Sequence, residues 1–449
     1  MISKPAVVVV HCVDTEGPLN ETLEATFQRI SEIFGRTIAP SEENLLKLQT
    51  SQFDLGGLEP AIAGLVNEKR LKYRRNWHEL SGAYEKIESS NIRHNLPDSF
   101  GNGWIFNWFC VDHVGYSGSN PRERTVGHHQ IFDHYVNLVH QSKSADSVHW
   151  HYHPLPTTGD LTGSGSGYLN STNVLDVLCR KVIERGWFPS AFRPGFHTER
   201  PDSHWLLEQW IPFDYGSQAC SVDNQDQPDL SDGRWGDWSR APRNWFPYHP
   251  SHDDYQVPGG CRRWITRCLA MESRIREITK ENVLEAFREG TSEQPALLSF
   301  CNHDYRDMES EILKIQGFIR LASIKYPQKQ FMYAEAVNGM RRVLNLSPDS
   351  FELNARITSS NSSTKRLEVN VDGKLFGTQP FLAIGLQEHR FIWQNFDQLG
   401  SNRWSFTFDE NDIPWRLVES IGVAGNSMDG QTIVQRLLAN TEFVESRHN

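Results

Sequence analysis

Several apolar, β-rich runs in this chain stop abruptly on ionisable residues, and that pattern restricts the fold more than any other feature. Ala6 to Val13 is a β-branched run of the type buried on both faces of a sheet, and it breaks into Asp14-Thr15-Glu16-Gly17-Pro18. Gly103 to Gly115 is aromatic and β-prone and ends on Asp112 and His113. Val148-His149-Trp150-His151-Tyr152-His153-Pro154 puts three imidazoles into five residues. Phe188 to Phe192 runs into Arg193-Pro194-Gly195, and Ala296 to Asn302 runs into His303-Asp304. Charged groups just past buried strands lie at the carboxyl edge of a parallel sheet, where α/β barrels and open α/β sheets hold their ligands.

Helical patterns separate these runs: Val126 to Gln141, Asn173 to Arg185 with Gly186 as its stop, Arg274 to Glu289, and Glu309 to Ile324. Ile211 to Tyr215 and Phe331 to Tyr333 read as short strands. Strand–helix alternation over about 300 residues implies a parallel α/β barrel or sheet, and the pattern does not decide between closed and open. Residues 20 to 100 form a helix-rich insertion, clearest over Thr22 to Phe34 and Ile62 to Ser90. Thr157 to Gly167 is a Gly/Thr/Ser loop with the composition of a lid, and Gln218 to Pro258 is a long aromatic segment expected to face substrate. After Asn345 to Ser350 the texture changes to alternating strands with turns at Asp372-Gly373 and Gly400-Ser-Asn, as in a small β-sandwich. The expected domains are therefore 1–344, an α/β unit, and 350–449, an accessory sandwich.

The histidine segment holds the densest chemistry. Pro154 disfavours a helix through it, and on a strand His149, His151 and His153 share one face. Imidazole is the commonest metal-binding side chain, and sites with open positions combine two or three such ligands with a carboxylate. The plain alternative is a hydrogen-bonded surface strand. For Asp14 and Glu16 it is a capped turn, and for Arg193 a surface arginine.

In order along the chain, Asp14-x-Glu16, His149-x-x-x-His153, Phe192-Arg193-Pro194-Gly195 and His303 resemble the motifs of the polysaccharide deacetylase superfamily, the NodB-homology domain of carbohydrate esterase family 4. The likeness covers about residues 6 to 340 without the insertion. Tyr248-His-Pro-Ser-His-Asp-Asp-Tyr255 and His303-Asp-Tyr-Arg-Asp307 resemble the subgroup associated with bacterial surface-polysaccharide synthesis. The resemblance implies a distorted (β/α) barrel of fewer than eight units. It also implies a divalent metal, zinc above all, on Glu16, His149 and His153. Asp14 is then the catalytic base, Arg193 its partner, and His303 the group that protonates the departing amine. Thr15 separates two acidic residues that are adjacent in the usual motif, so the roles of Asp14 and Glu16 are open to exchange. His151 has no family role, and its place on the strand leaves it within reach of the metal.

The implied activity is hydrolytic removal of acetyl from an N-acetylated sugar, a glycan or nucleotide-sugar intermediate, with O-deacetylation as a variant. The alternatives are an inactive glycan-binding or assembly protein on the same fold, and a cyclic-amide hydrolase of the allantoinase type. A net charge of −11 argues against a nucleic-acid partner. No apolar run approaches membrane-spanning length, the short Ala6–Val10 run lacks the features of a signal peptide, and the seven scattered cysteines form no C-x-x-C pair. Together these give the expectation of a cytoplasmic protein, with homo-oligomerisation left open.

Overall fold

The computed structural model describes residues 4–142, 144–165, 167–169, 171, 173–220, 235–273, 276–348, 350–359, 364–439 and 444–448. Seven strands close into a parallel barrel: β1 (Val7–Thr15), β2 (Phe106–Val111), β3 (Ser147–Tyr152), β4 (Ala191–Pro194), β5 (Phe213–Ser217), β6 (Trp264–Ala270) and β7 (Ala296–His303). Neighbours pair in chain order, and β1 joins both β7 and β2 to close the ring. Closure answers the question that the strand–helix pattern left open.

The barrel is distorted at one seam. Residues 11–15 of β1 pair with β2, but residues 7–9 pair with an eighth strand, β8 (Phe331–Tyr333), wedged in at the amino end. Alternation along the strands turns Val8, Val10, Cys12 and Asp14 inward, where the first three pack with Phe109, Tyr215, Cys268 and Leu297. The helix Ala336–Val343 plugs the floor through Val337 and Met340. The barrel is a packed core with a cavity at its carboxyl end.

Local chemistry places the surrounding helices. Thr22 caps Leu23–Phe34 by accepting from the Ala25 amide at 3.2 Å, and Gly35 ends it in the left-handed conformation (φ 62°). That helix packs Phe27, Ile30 and Phe34 against Leu48, Ile62 and Leu65, giving the insertion a small core of its own. The expected helix over Ile62–Ser90 is broken into Glu59–Leu65, Glu68–Leu71 and Trp77–Glu88. The helix expected from Val126 starts at Gln130, because Gly127 bridges back to His113. Asn173–Arg180 is α-helical but loosens into a π turn over Lys181–Arg185 before Gly186, burying Lys181 against Asp112 at 2.8 Å. The helix expected from Arg274 begins at Lys280; residues 274 and 275 lie outside the described residues.

Strand β6 has no counterpart in the sequence reading. Its central Arg267 breaks the apolar pattern, yet that side chain is buried, donating to the Ala219 carbonyl at 2.7 Å with its guanidinium over Trp245 at 4.3 Å. The expectation of a substrate-facing aromatic segment is also corrected. Trp238 and Trp245 are core residues, and Trp235 alone of the three lines the cavity; residues 221–234 lie outside the described part.

From Glu352 onward all strands are antiparallel, in sheets of four and five that enclose Leu367, Val369, Trp404, Phe406, Ile421 and Val423. The five-stranded sheet docks on the barrel flank: Phe381 meets Phe188 (5.2 Å between ring centres) and Trp210 (5.1 Å). Asn426 donates to the carbonyls of Pro189 and Trp210, each at 2.7 Å. No helix among the described residues is long and apolar enough to cross a membrane.

Candidate metal centre

The carboxyl end of the barrel opens into a cavity of about 200 Å³ whose lining includes Asp14, Glu16, His151, His153 and His303. Asp14 and His303 are register partners on the adjacent strands β1 and β7, which brings chemistry from opposite ends of the chain to one rim.

At the base of the site, Arg193 on β4 forks onto Asp14, Nε to Oδ1 at 2.6 Å and Nη2 to Oδ2 at 2.9 Å. Its other arm donates to the Tyr215 carbonyl, so the guanidinium is fixed from both sides. Burial alone pushes the Asp14 carboxyl up, but the charge of Arg193, helped by His151, outweighs it and holds the group well below the usual carboxylate range. The pair keeps an ionised carboxylate in a buried place.

Above it, Glu16, His151 and His153 bring one donor atom each to within 4.8 Å of one another, all three residues buried. His151 Nδ1 lies 2.9 Å from the Arg193 carbonyl, which only accepts, so Nδ1 carries the proton and Nε2 presents a lone pair. That lone pair faces His153 Nε2 at 2.9 Å. Burial lowers the pKa of both imidazoles, that of His153 well below its ordinary value, so both are neutral near pH 7. Glu16 Oε1 completes the group, 3.8 Å from His153 Nε2 and 3.6 Å from His303 Nε2, while Oε2 is held by Arg124. Two converging imidazole nitrogens and a buried carboxylate oxygen, with one histidine tautomer fixed by a backbone carbonyl, are a donor set that fits a divalent cation.

Five of the six residues singled out in the sequence therefore meet here: Asp14, Glu16, His153, Arg193 and His303. His149, expected as a ligand, does not. It shares the inner face with the other two histidines, but two residues deeper it stacks near Phe109 and hydrogen-bonds Ser147 Oγ at 2.7 Å. Its Nε2 also lies 3.3 Å from Glu335, beside the β8 wedge. His151 takes its place in the donor group.

Backbone shape holds this donor group in position. Gly195 passes so close to His153 that a Cβ there would lie 2.5 Å from the ring. Phe196 and His197 then adopt two successive left-handed conformations (φ 52° and 50°), a strained turn that folds the chain over the site. Phe196 sets its ring against both His153 (5.3 Å) and Trp235 (5.2 Å). Arg124 and Phe196 went unassigned in the sequence because each sits in a loop with no periodic signal, whereas Trp235 belongs to the aromatic segment expected to face substrate and does line the cavity. A second group, Glu208, His252 and Cys261, could also hold a cation, away from this cavity and with His252 exposed.

Comparison of the chain with protein-family models, curated proteins and solved structures finds no significant match.

Proposed function

We propose that the protein is a metal-dependent hydrolase that removes acetyl groups from an N-acetylated sugar. The observation that carries the hydrolytic part is the buried Glu16–His151–His153 group directly above the Asp14–Arg193 pair. The sugar, the acetyl group and the NodB type of barrel are supported by the order of the sequence motifs. Zinc suits a donor set of two imidazoles and one carboxylate.

When bound there, a divalent cation supplies Lewis-acid polarisation of the acyl oxygen and a lowered pKa for the attacking water. Arg193 orients Asp14 and keeps it ionised, and Asp14 takes a proton from that water as its oxygen adds to the acetyl carbon. Burial lowers the His303 pKa to about 3, so the imidazole rests neutral on the strand beside Asp14. It takes up the proton that Asp14 received from the water and passes it to the nitrogen as the C–N bond breaks, leaving acetate and a free amine. Arg124 neutralises the outer oxygen of Glu16, directing Oε1 at the imidazoles.

The test is acetate release from N- and O-acetylated sugars by metal-replete protein. Asp14→Asn should lower the rate by about 10²–10⁴-fold, the usual contribution of a general base. No acetate from any such sugar would defeat the proposal. The Arg124–Glu16 contact favours one other reading, a glycan-binding protein in which arginine replaces the cation as the partner of Glu16. In that case Asp14→Asn leaves sugar binding intact and no metal is retained.

A further inference from the structure

One wall of the same cavity is built from arginines that outnumber the carboxylates paired with them among the described residues. Arg29 reaches in from the inserted helix Leu23–Phe34, Arg122 and Arg124 from the loop after β2, and Arg306 from the turn after β7. Arg29 Nε and Arg122 Nη2 share a single buried carboxylate, Glu21, at 2.8 and 3.0 Å. Arg124 is committed to Glu16. Arg306 has no carboxylate within 4.0 Å among the described residues; its Nη1 donates to the Arg70 carbonyl at 3.1 Å and its guanidinium lies over the rings of Tyr73 and Tyr305, each at 5.6 Å. Of the other acids lining the cavity, Glu32 is exposed and takes the Gln28 amide, Glu272 lies 3.5 Å from Lys314, and Asp14 is committed to Arg193. These four guanidinium groups thus form ion pairs with only two buried carboxylates, Glu21 and Glu16, among the described residues.

Their hydrogen bonding is equally incomplete. Arg29 Nη2, Arg122 Nε and Arg124 Nε are buried without an acceptor among the described residues; the side chains of Arg29 and Arg122 are only 16% exposed and that of Arg124 only 8%. A structural ion-pair network balances its charges and satisfies its N–H groups, because buried cations are otherwise costly. This one does neither, and it faces an open cavity. Guanidinium forks match the paired oxygens of phosphate and carboxylate.

We infer that this wall binds an anionic oxygen group of the substrate, a phosphate or a carboxylate carried on the sugar, and so selects glycosyl phosphates or acidic sugars over neutral ones. The inference rests on the hydrolase reading for the rest of the ligand but not for the anion site itself.

Calorimetry without turnover tests it, using N-acetylglucosamine 1-phosphate, glucuronate and N-acetylglucosamine as probes. At least one anionic probe should bind about tenfold or more tighter than the neutral sugar, with the advantage shrinking as salt rises. The phosphate and carboxylate arms identify which anion the wall prefers. Arg122→Gln and Arg306→Gln should each reduce the advantage at least threefold while leaving neutral-sugar binding unchanged. Arg306 is half-exposed and outside the Glu21 pairing, so its variant decides the matter even if Arg122→Gln does not fold. Equal binding of charged and neutral probes, or an advantage that survives Arg306→Gln, overturns the inference. Anion preference without acetate release defeats only the hydrolase reading. Acetate release from a neutral sugar with no anion preference defeats only this one.

Discussion

At the level of single residues, the site depends on which atoms are held neutral, charged or protonated. Arg193 and Asp14 are wholly buried and paired, so removing one partner strands the other. Arg193→Met should cost about 3–5 kcal/mol in a denaturant titration, as loss of one member of a buried pair does. Glu311 gives a separate pH signature. It accepts from Asn302 at 2.7 Å in a chain that continues to His11, and burial raises its pKa from 4.5 to about 8. The folded state thus holds a proton that the unfolded chain releases near 4.5. Its contribution to stability is complete below that pH and is lost as pH rises through about 8. Glu311→Gln should accordingly stabilise the protein at pH 8 relative to wild type, change little at pH 4, and flatten the interval between; unchanged pH curves would contradict this. Asp14, Glu16, His153, Arg193 and His303 were legible in the sequence because each ends or follows a recognisable strand. His151 was legible too, since strand alternation aims it the same way as His153, but the four-residue family spacing pointed to His149. Depth along the strand decides which imidazoles meet Glu16: they are the two nearest the open end, and His149 is about 6–7 Å further down.

At the level of elements, the barrel and the insertion announced themselves differently. β1 and β7 are apolar on both faces and could be read directly, and Thr22 and Gly35 marked both ends of the first inserted helix. Strand β6 could not be read, because an arginine that finds a carbonyl and an indole inside the fold looks like a surface residue in one dimension. The same limit applies to the strained turn after β4, which only tertiary contacts enforce. Gly195 is where that turn can be tested. A methyl group there would collide with His153, so Gly195→Ala should weaken metal affinity about 10–100-fold, the range for loss of a ligand's positioning contacts. The substitution is read by competition with a chelating dye, and unchanged affinity would mean that the close approach has no role in aiming the ligand.

At the level of the whole molecule, the sandwich and the barrel share a core through Phe381, Phe188 and Trp210, away from the cavity. A shared apolar interface should make the two unfold together. Calorimetry should show one thermal transition, and Phe381→Ala, removing a fully buried ring, should cost about 3–5 kcal/mol. Two transitions in the wild-type protein would show instead that the sandwich is an independent appendage. The change from parallel to antiparallel texture after residue 350 was visible in sequence, while the docking surface was not, because its residues are spread over the π turn, β4 and the sandwich.

Metal content decides whether Glu16, His151 and His153 form a metal centre. Purified metal-replete protein should carry one ion per chain more than the His151→Ala/His153→Ala variant, whereas His149→Ala should retain that ion. Equal metal content in wild type and the double variant, or loss of the ion from His149→Ala alone, would contradict the account.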